Sequence, residues 1–204
     1  MDPLLLGTAT AFGLAASAGL NTTLPLLIVG LLARFGLLAL SAPYDALTSD
    51  VTLGGLTLLA LLEIVGDKVP GLDSVVQVVQ WPLAAAAGAI LFASQTSVIS
   101  WVSPGLAILV GLLTAGAVHG ARAAARPAVT AFTLGLGNTA VSALEDALAV
   151  ALAAASALAP ALGLAVLVAL AAVLVVAGTW AGRRSLQLSR RPGTQARPRQ
   201  ASRS

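Results

Sequence analysis

The feature that most constrains the fold is a series of seven apolar segments, which together occupy most of the chain. Their approximate ranges are 3–20, 24–41, 51–66, 75–95, 104–121, 138–158 and 161–182. Most approach the roughly 20 residues that an α-helix needs to cross a bilayer. The stretches between them contain proline, glycine and asparagine, which are typical of turns. The pattern predicts an all-α, polytopic transmembrane bundle of six or seven spans.

The composition excludes a soluble globular protein. Charged residues make up 9% of the chain, whereas soluble domains contain roughly 25%. Hydrophobic residues make up 58% of the chain. The charged side chains are too few to cover a surface that faces water, so the bilayer must be the solvent for most of this protein.

Basic residues are concentrated behind the last apolar segment. Seven of the eleven lysines and arginines follow residue 182, whereas residues 1–182 hold four basic and eight acidic side chains. We therefore expect a transmembrane helical domain over 1–182 and a basic, disordered tail over 183–204. Because basic segments favour the cytoplasm, the tail predicts a multi-pass protein of the inner (plasma) membrane with a cytoplasmic C-terminus. We expect the tail to bind anionic lipid headgroups of the bilayer rather than nucleic acid.

Two stretches of the chain resemble each other. Residues 8–25 and 129–144 each contain Thr-Ala-Phe, then Gly-Leu, then Asn-Thr. If the likeness reflects a duplication, two three-helix repeats are joined by a linking helix, as in many transporters. Asn21 and Asn138 then stand at matching helix starts. Each is expected to cap backbone N–H groups, and the alternative is that two broken helix ends line a polar site.

Five charged residues are candidates for an ion pathway or an intramembrane charge network. They are Arg34, Glu63, Asp67, Glu145 and Asp146. A charged side chain in a bilayer is costly unless it is paired, protonated or in contact with water. Arg34 is expected near the middle of its span, and it therefore requires Glu63, Glu145 or Asp146 as a partner. A structural ion pair and a pathway in which Arg34 competes with a transported cation both fit this pattern.

Three motifs around these charges resemble those of a known family. They are Gly-Leu-Asn-Thr-Thr-Leu-Pro-Leu-Leu at 19–27, Leu-Glu-Ile-Val-Gly-Asp-Lys-Val-Pro-Gly-Leu-Asp at 62–73 and Val-Ser-Ala-Leu-Glu-Asp at 141–146. The chain is similar in these motifs to the domain of unknown function 4126 family of bacterial integral membrane proteins. The resemblance covers nearly all of the chain before Arg183. It implies a membrane setting and no particular activity.

The sequence offers little for catalysis. It contains one histidine and no cysteine, and it lacks a nucleophile elbow, a metal-binding histidine pair and a phosphate-binding glycine loop. We therefore expect neither an enzyme nor a resident cofactor or metal. Two functions remain. The first is a secondary transporter or channel for a small cation or proton, and the alternative is a membrane scaffold or assembly protein whose buried ion pairs are structural. The sequence leaves open whether the protein forms a homo-oligomer.

Overall fold

The computed structural model describes residues 2–66, 73–95, 98, 100–133 and 137–189. These residues form seven α-helices and no strand, which confirms the predicted all-α fold. The helices are α1 (Pro3–Leu20), α2 (Leu24–Arg34), α3 (Asp50–Gly66), α4 (Asp73–Ala93), α5 (Pro104–Thr133), α6 (Asn138–Leu158) and α7 (Pro160–Ser189). A short 3-10 helix, Tyr44–Thr48, lies between α2 and α3.

Proline stands at the start of four of these helices. It is the first residue of α1, α5 and α7 and the second residue of α2. Proline is well tolerated in the first turn because the N–H that it lacks would have no partner within the helix. These four prolines therefore mark helix starts, whereas Pro82 lies inside α4.

Helix α1 lies at the centre of the bundle. Its second half is almost entirely buried, and the helix packs against α4, α5, α6 and α7. The core includes Leu14 of α1, Leu91 of α4 and Leu152 of α6, each with no exposed surface. Outside this core, many leucines and valines are exposed, which is the arrangement expected where lipid replaces water.

Contacts near the helix ends show how consecutive helices are oriented. Arg34 at the end of α2 pairs with Asp50 at the start of α3, and Leu40 after α2 forms an isolated antiparallel bridge with Gln95 after α4. Near the other end of α3, Glu63 contacts Thr22, which precedes α2. The bundle therefore has two ends. We call the one where α1 stops and α2 begins the break end, and the other the opposite end.

Three of the described helices are long and apolar enough to cross a membrane, namely Pro3–Leu20, Pro104–Arg126 and Thr139–Leu158. Leu24–Arg34, Val79–Ala93 and Pro160–Val173 are apolar but shorter. These helices indicate a membrane protein. The count of six or seven spans, like the internal repeat, stays a prediction.

Several segment boundaries differ from those predicted. Helix α2 stops at Arg34 instead of continuing to residue 41, because Gly36 adopts a positive φ of 73°. The N–H of Gly36 bonds to the carbonyl of Ala33 and the N–H of Leu37 to that of Leu32, as in a Schellman cap. At the C-terminus, α7 continues through Ser189. Residues 183–189 of the predicted disordered tail are therefore helical, and residues 190–204 lie outside the described part.

Glycine allows α4 and α5 to approach closely. A Cβ atom added at Gly111 would lie 2.4 Å from the carbonyl oxygen of Gly88 and 2.8 Å from the Cα atom of Ala89. Both of these atoms belong to the backbone of α4, so they cannot move without a shift of the helix. Since lipid gives little hydrophobic drive for helix association, close packing of this kind holds the bundle together.

We expect Gly111→Ala to lower the free energy of unfolding by about 1–3 kcal/mol, because the added methyl group must separate α4 from α5. Gly116→Ala is a matched control on the same helix, since no atom lies within 4 Å of the added Cβ. The control should be neutral or more stable by about 0.5–1 kcal/mol, as expected for alanine in a helix. Thermal unfolding in detergent measures both variants. Equal stability of the two would contradict the proposed role of Gly111.

Candidate functional site: a polar network at the break between two helices

Asn21 organises the break between α1 and α2. Its side chain is 2% exposed, and its Oδ1 atom accepts hydrogen bonds from the N–H groups of Thr23 at 3.0 Å and Leu24 at 2.8 Å. Asn21 therefore satisfies two backbone N–H groups at the start of α2, whose N-cap residue is Thr23. The Nδ2 atom of Asn21 donates to Oδ1 of Asp146 on α6 at 2.9 Å. One amide thus pairs with free backbone N–H groups between α1 and α2. It also connects this turn to a carboxylate on α6.

Glu63 reaches the same break from α3. Its Oε1 atom accepts a hydrogen bond from the N–H of Thr22 at 3.1 Å, and its Oε2 atom accepts one from the N–H of Thr23 at 3.2 Å. The Nε2 atom of Gln80 on α4 donates to Oε1 at 3.0 Å. A carboxylate beside the start of α2 also interacts favourably with the positive end of that helix dipole.

Two arginines of α5 meet one carboxylate of α6. Glu145 Oε2 lies 3.2 Å from Arg122 Nε and 2.7 Å from Arg126 Nη2. The side chains are 5% exposed at Arg122, 8% at Arg126 and 14% at Glu145. Ions so far from water need strong pairing, because desolvation costs several kcal/mol per charge.

Arg122 connects this ion pair to the break. It donates a hydrogen bond to the carbonyl oxygen of Leu20, the last residue of α1, and its Nη2 atom lies 3.5 Å from Oε1 of Gln80. Gln80 in turn donates to Glu63. A continuous chain of contacts therefore runs from α3 through α4 and α5 to α6. We call the following set the polar network: Asn21, Glu63, Gln80, Arg122, Arg126, Glu145 and Asp146.

The network brings five ionisable side chains together. It contains three carboxylates, on Glu63, Glu145 and Asp146, and two guanidinium groups, on Arg122 and Arg126. In the part of the chain that the structure describes, Glu145 lies against both guanidinium groups, and Glu63 and Asp146 accept hydrogen bonds from amide and backbone donors.

The structure brings together four of the residues predicted from sequence, which are Asn21, Glu63, Glu145 and Asp146. Asp67 lies outside the described residues. Asn138 is the first residue of α6, and its side chain lies outside the described part of the chain.

The prediction that Arg34 pairs with one of the intramembrane acids is wrong. Arg34 forms an ion pair with Asp50 and donates to the carbonyl of Thr48 at 3.2 Å, all at the opposite end of the bundle. The two side chains of the pair are 44% and 84% exposed. The physical reason is the early stop of α2, which makes Arg34 its last residue instead of a residue at mid-membrane.

The arginines that do pair with these acids were missed as network members. The fifth apolar segment was predicted to end at residue 121, so Arg122 and Arg126 lay outside the predicted spans. Helix α5 instead continues to Thr133. The available signal was their spacing of four residues in a run of alanines, which places both on one helix face.

Within the described residues, no group of three or more His, Cys, Asp or Glu side chains is placed to hold a metal ion. The arrangement is instead one of carboxylates held by arginine, amide and backbone donors. Pairing of this kind stabilises charged side chains in a region that water reaches poorly.

Neither curated proteins nor solved structures gave a match to this chain. A family does match, over residues 8–180, and it is described as Domain of unknown function (DUF4126). The matched range contains the whole polar network. It also contains the first residue of every described helix except α1. The chain therefore belongs to the DUF4126 family, as its motifs predicted.

Proposed function

We propose that the protein is a secondary transporter or channel for a small cation or a proton, and that the polar network is its ion site. The observation that carries this proposal is the meeting of three carboxylates and two arginines around a break between helices. Membrane carriers commonly bind ions where helices are interrupted, because the free backbone groups there can contact the ion. The proposal assigns no catalytic activity to the chain.

In this proposal Arg122 competes with the transported ion for a carboxylate, which is the role that the sequence analysis gave to Arg34. Arg122 contacts Glu145, the carbonyl of Leu20 and Gln80. A proton or cation that neutralises Glu145 weakens its hold on Arg122. Because Arg122 also binds the end of α1, loss of that ion pair changes how α1, α4 and α6 are held together. Ion occupancy is thereby coupled to helix packing, which a carrier requires.

The proposed location is the inner (plasma) membrane, with the C-terminus in the cytoplasm. Helix α7 starts beside the end of α6, where a Cβ atom added at Gly163 would lie 2.5 Å from the Cα atom of Ser156. The helix is 30 residues long and is followed by the arginine-rich tail. Helix α6 runs from the break end to the opposite end, so α7, which starts beside the end of α6, returns to the break end. If the tail lies in the cytoplasm and contacts anionic headgroups, the break end therefore faces the cytoplasm as well.

Flux into liposomes tests the proposed transport. The purified chain is reconstituted into vesicles, and the uptake of protons, Ca²⁺, Mn²⁺ and Mg²⁺ is followed with indicator dyes. We expect at least one of these ions to enter faster than in protein-free vesicles made from the same lipid. Uptake equal to that of protein-free vesicles for every ion would contradict the proposal.

A scaffold or assembly role is the second candidate, and one observation favours it. The network side chains contact one another and the α1–α2 backbone across α3, α4, α5 and α6. In that case the ion pairs only fix how these helices pack. A scaffold shows no flux, and its network variants change stability alone.

A further inference from the structure

An apolar crevice lies beside the polar network, between α2, α3 and α4. Its volume is about 490 Å³, which is within the range of about 300–1,000 Å³ typical of small-molecule sites. From Val79 to Ile90 it follows α4 for eleven residues, or about 16 Å at 1.5 Å per residue. Most of its lining is aliphatic and includes Leu56, Leu59, Leu62, Leu83 and Ile90. The crevice is therefore long and apolar along most of its length.

One end of the crevice is polar and lies at the start of α2. The polar side chains that line it belong to Thr22, Thr23, Glu63 and Gln80. Glu63 accepts hydrogen bonds from the backbone N–H groups of Thr22 and Thr23 and from the amide of Gln80. These donors are therefore paired within the protein.

The hydroxyl group of Thr23 is not paired in this way. Thr23 is the N-cap residue of α2, but its side chain makes no capping hydrogen bond. Its backbone is helical, with φ of −98° and ψ of −38°, whereas a capping side chain usually reaches the helix N–H groups from an extended backbone. Thr23 is 7% exposed, and among the residues that the structure describes its hydroxyl has no hydrogen-bond partner. Because an unpaired buried hydroxyl is costly and Thr23 lines the crevice, a ligand there can supply the missing partner.

A backbone donor beside Thr23 is also unpaired. The N–H groups of Leu24 and Leu27 have acceptors, and Pro25 has no N–H. In the described part of the chain, the N–H of Leu26 has none. Leu26 is 8% exposed and lines the crevice as well. Two uncharged donors, a hydroxyl and an N–H three residues apart, therefore lie at the same end of the crevice.

The crevice opens between exposed side chains. Leu59, Leu62, Val79 and Leu83 all line it, and each is more than half exposed. In a membrane protein these side chains face lipid acyl chains. A ligand can therefore enter from the bilayer, and it must itself be largely apolar.

We propose that this crevice binds a single-chain acyl ester with an uncharged head. The ester carbonyl oxygen has two lone pairs and accepts hydrogen bonds from the Thr23 hydroxyl and the Leu26 N–H. The alkyl chain lies between α3 and α4. An extended chain advances roughly 1.2 Å per bond, as in a polypeptide backbone, so a crevice of about 16 Å fits a chain of about 13 bonds. Binding of this kind does not require ion transport, so absence of ion flux would leave it intact.

Equilibrium binding of radiolabelled methyl dodecanoate to the purified full-length chain tests the proposal. The protein is kept in a sterol-based detergent, which carries no alkyl chain, and uptake by protein-free micelles is subtracted. We expect saturable binding of one molecule per chain. Dodecyl methyl ether, which has a CH₂ group in place of the carbonyl, and methyl acetate, which lacks the long chain, should each compete at least about tenfold less well, which corresponds to about 1.4 kcal/mol.

Three results would overturn the proposal. Absence of saturable binding would show that the crevice takes no acyl ester. Equal competition by dodecyl methyl ether would show that the carbonyl is not recognised. Equal competition by didodecanoylphosphatidylcholine would show that the occupant is a two-chain bilayer lipid instead of a single-chain ester.

Thr23→Val tests the hydroxyl group directly. Valine has nearly the same shape, and the described residues include no hydrogen-bond partner that the hydroxyl would lose, so the variant should fold normally. We expect methyl dodecanoate binding to weaken about fivefold and binding of dodecyl methyl ether to stay unchanged. Equal effects on the ester and the ether would contradict a hydrogen bond from Thr23 to the carbonyl.

Two tryptophan variants locate the binding. Leu59→Trp fills the crevice and is expected to weaken binding at least about tenfold. Leu61→Trp is the matched control, because Leu61 lies on the same helix and is 57% exposed but does not line the crevice. Equal effects of Leu59→Trp and Leu61→Trp would show that the ester binds elsewhere.

Discussion

Glu145→Gln is expected to lower the free energy of unfolding by about 3–5 kcal/mol, the largest effect of any substitution considered. Glu145 is the shared partner of Arg122 and Arg126, which are 5% and 8% exposed. The glutamine amide has nearly the same shape but no charge. Two guanidinium groups would then lie close together without this anion between them, in a region from which water is largely excluded.

The ion pair at the opposite end supplies the control for this prediction. Asp50→Asn removes an acidic partner from Arg34, but the two side chains are 84% and 44% exposed. Water solvates both groups in the variant, so the loss should not exceed about 1 kcal/mol. Denaturant unfolding in the same detergent compares the two. Similar losses for Glu145→Gln and Asp50→Asn would show that burial does not increase the contribution of Glu145 to the free energy of unfolding.

Asn21→Ala is expected to cost about 3 kcal/mol. The substitution removes the acceptor for the N–H of Leu24 and one of two acceptors for the N–H of Thr23, and loss of a capping interaction typically costs about 1 kcal/mol. It also removes the donor to Asp146, and a hydrogen bond to a charged group contributes about 1.5–3 kcal/mol. Both losses occur at the point where α1 and α2 separate.

The neighbouring Thr22→Ala substitution is the matched control for Asn21→Ala. Thr22 contributes its backbone N–H to Glu63, and alanine keeps that group. We expect a change of no more than about 0.5 kcal/mol, measured by the same unfolding experiment. If Thr22→Ala is as destabilising as Asn21→Ala, the stability of the break does not depend on the asparagine amide.

The helices were largely predictable because the apolar segments and their prolines mark them directly. The starts of α1, α2 and α5 agree with the segments predicted from the sequence. The end of α2 was not predictable from hydrophobicity, since the residues that follow Gly36 are apolar as well. A positive φ at Gly36 ends the helix, and an apolar pattern does not report backbone dihedral angles.

The sequence predicted which acids belong to the site, but not which arginines pair with them. A charged carboxylate within a bilayer has a high free-energy cost, so any acid in an apolar segment is a candidate site residue. This argument identified Glu63, Glu145 and Asp146. The partner of each acid depends on which helix ends meet, and that is a property of the tertiary structure. Arg34 was therefore given a role that belongs to Arg122 and Arg126, which lie at the same end of the bundle as the acids.

The most direct test of the central claim is ion flux by Glu63→Gln compared with Asp50→Asn in vesicles of the same lipid. Both substitutions replace one carboxylate by an amide, but only Glu63 belongs to the polar network. Each variant is first shown to be folded and monodisperse by size-exclusion chromatography. We predict that Glu63→Gln reduces the flux of the transported ion at least about tenfold, whereas Asp50→Asn keeps it near that of the unmodified protein. Unreduced flux through folded Glu63→Gln would contradict the claim that the network is the ion site.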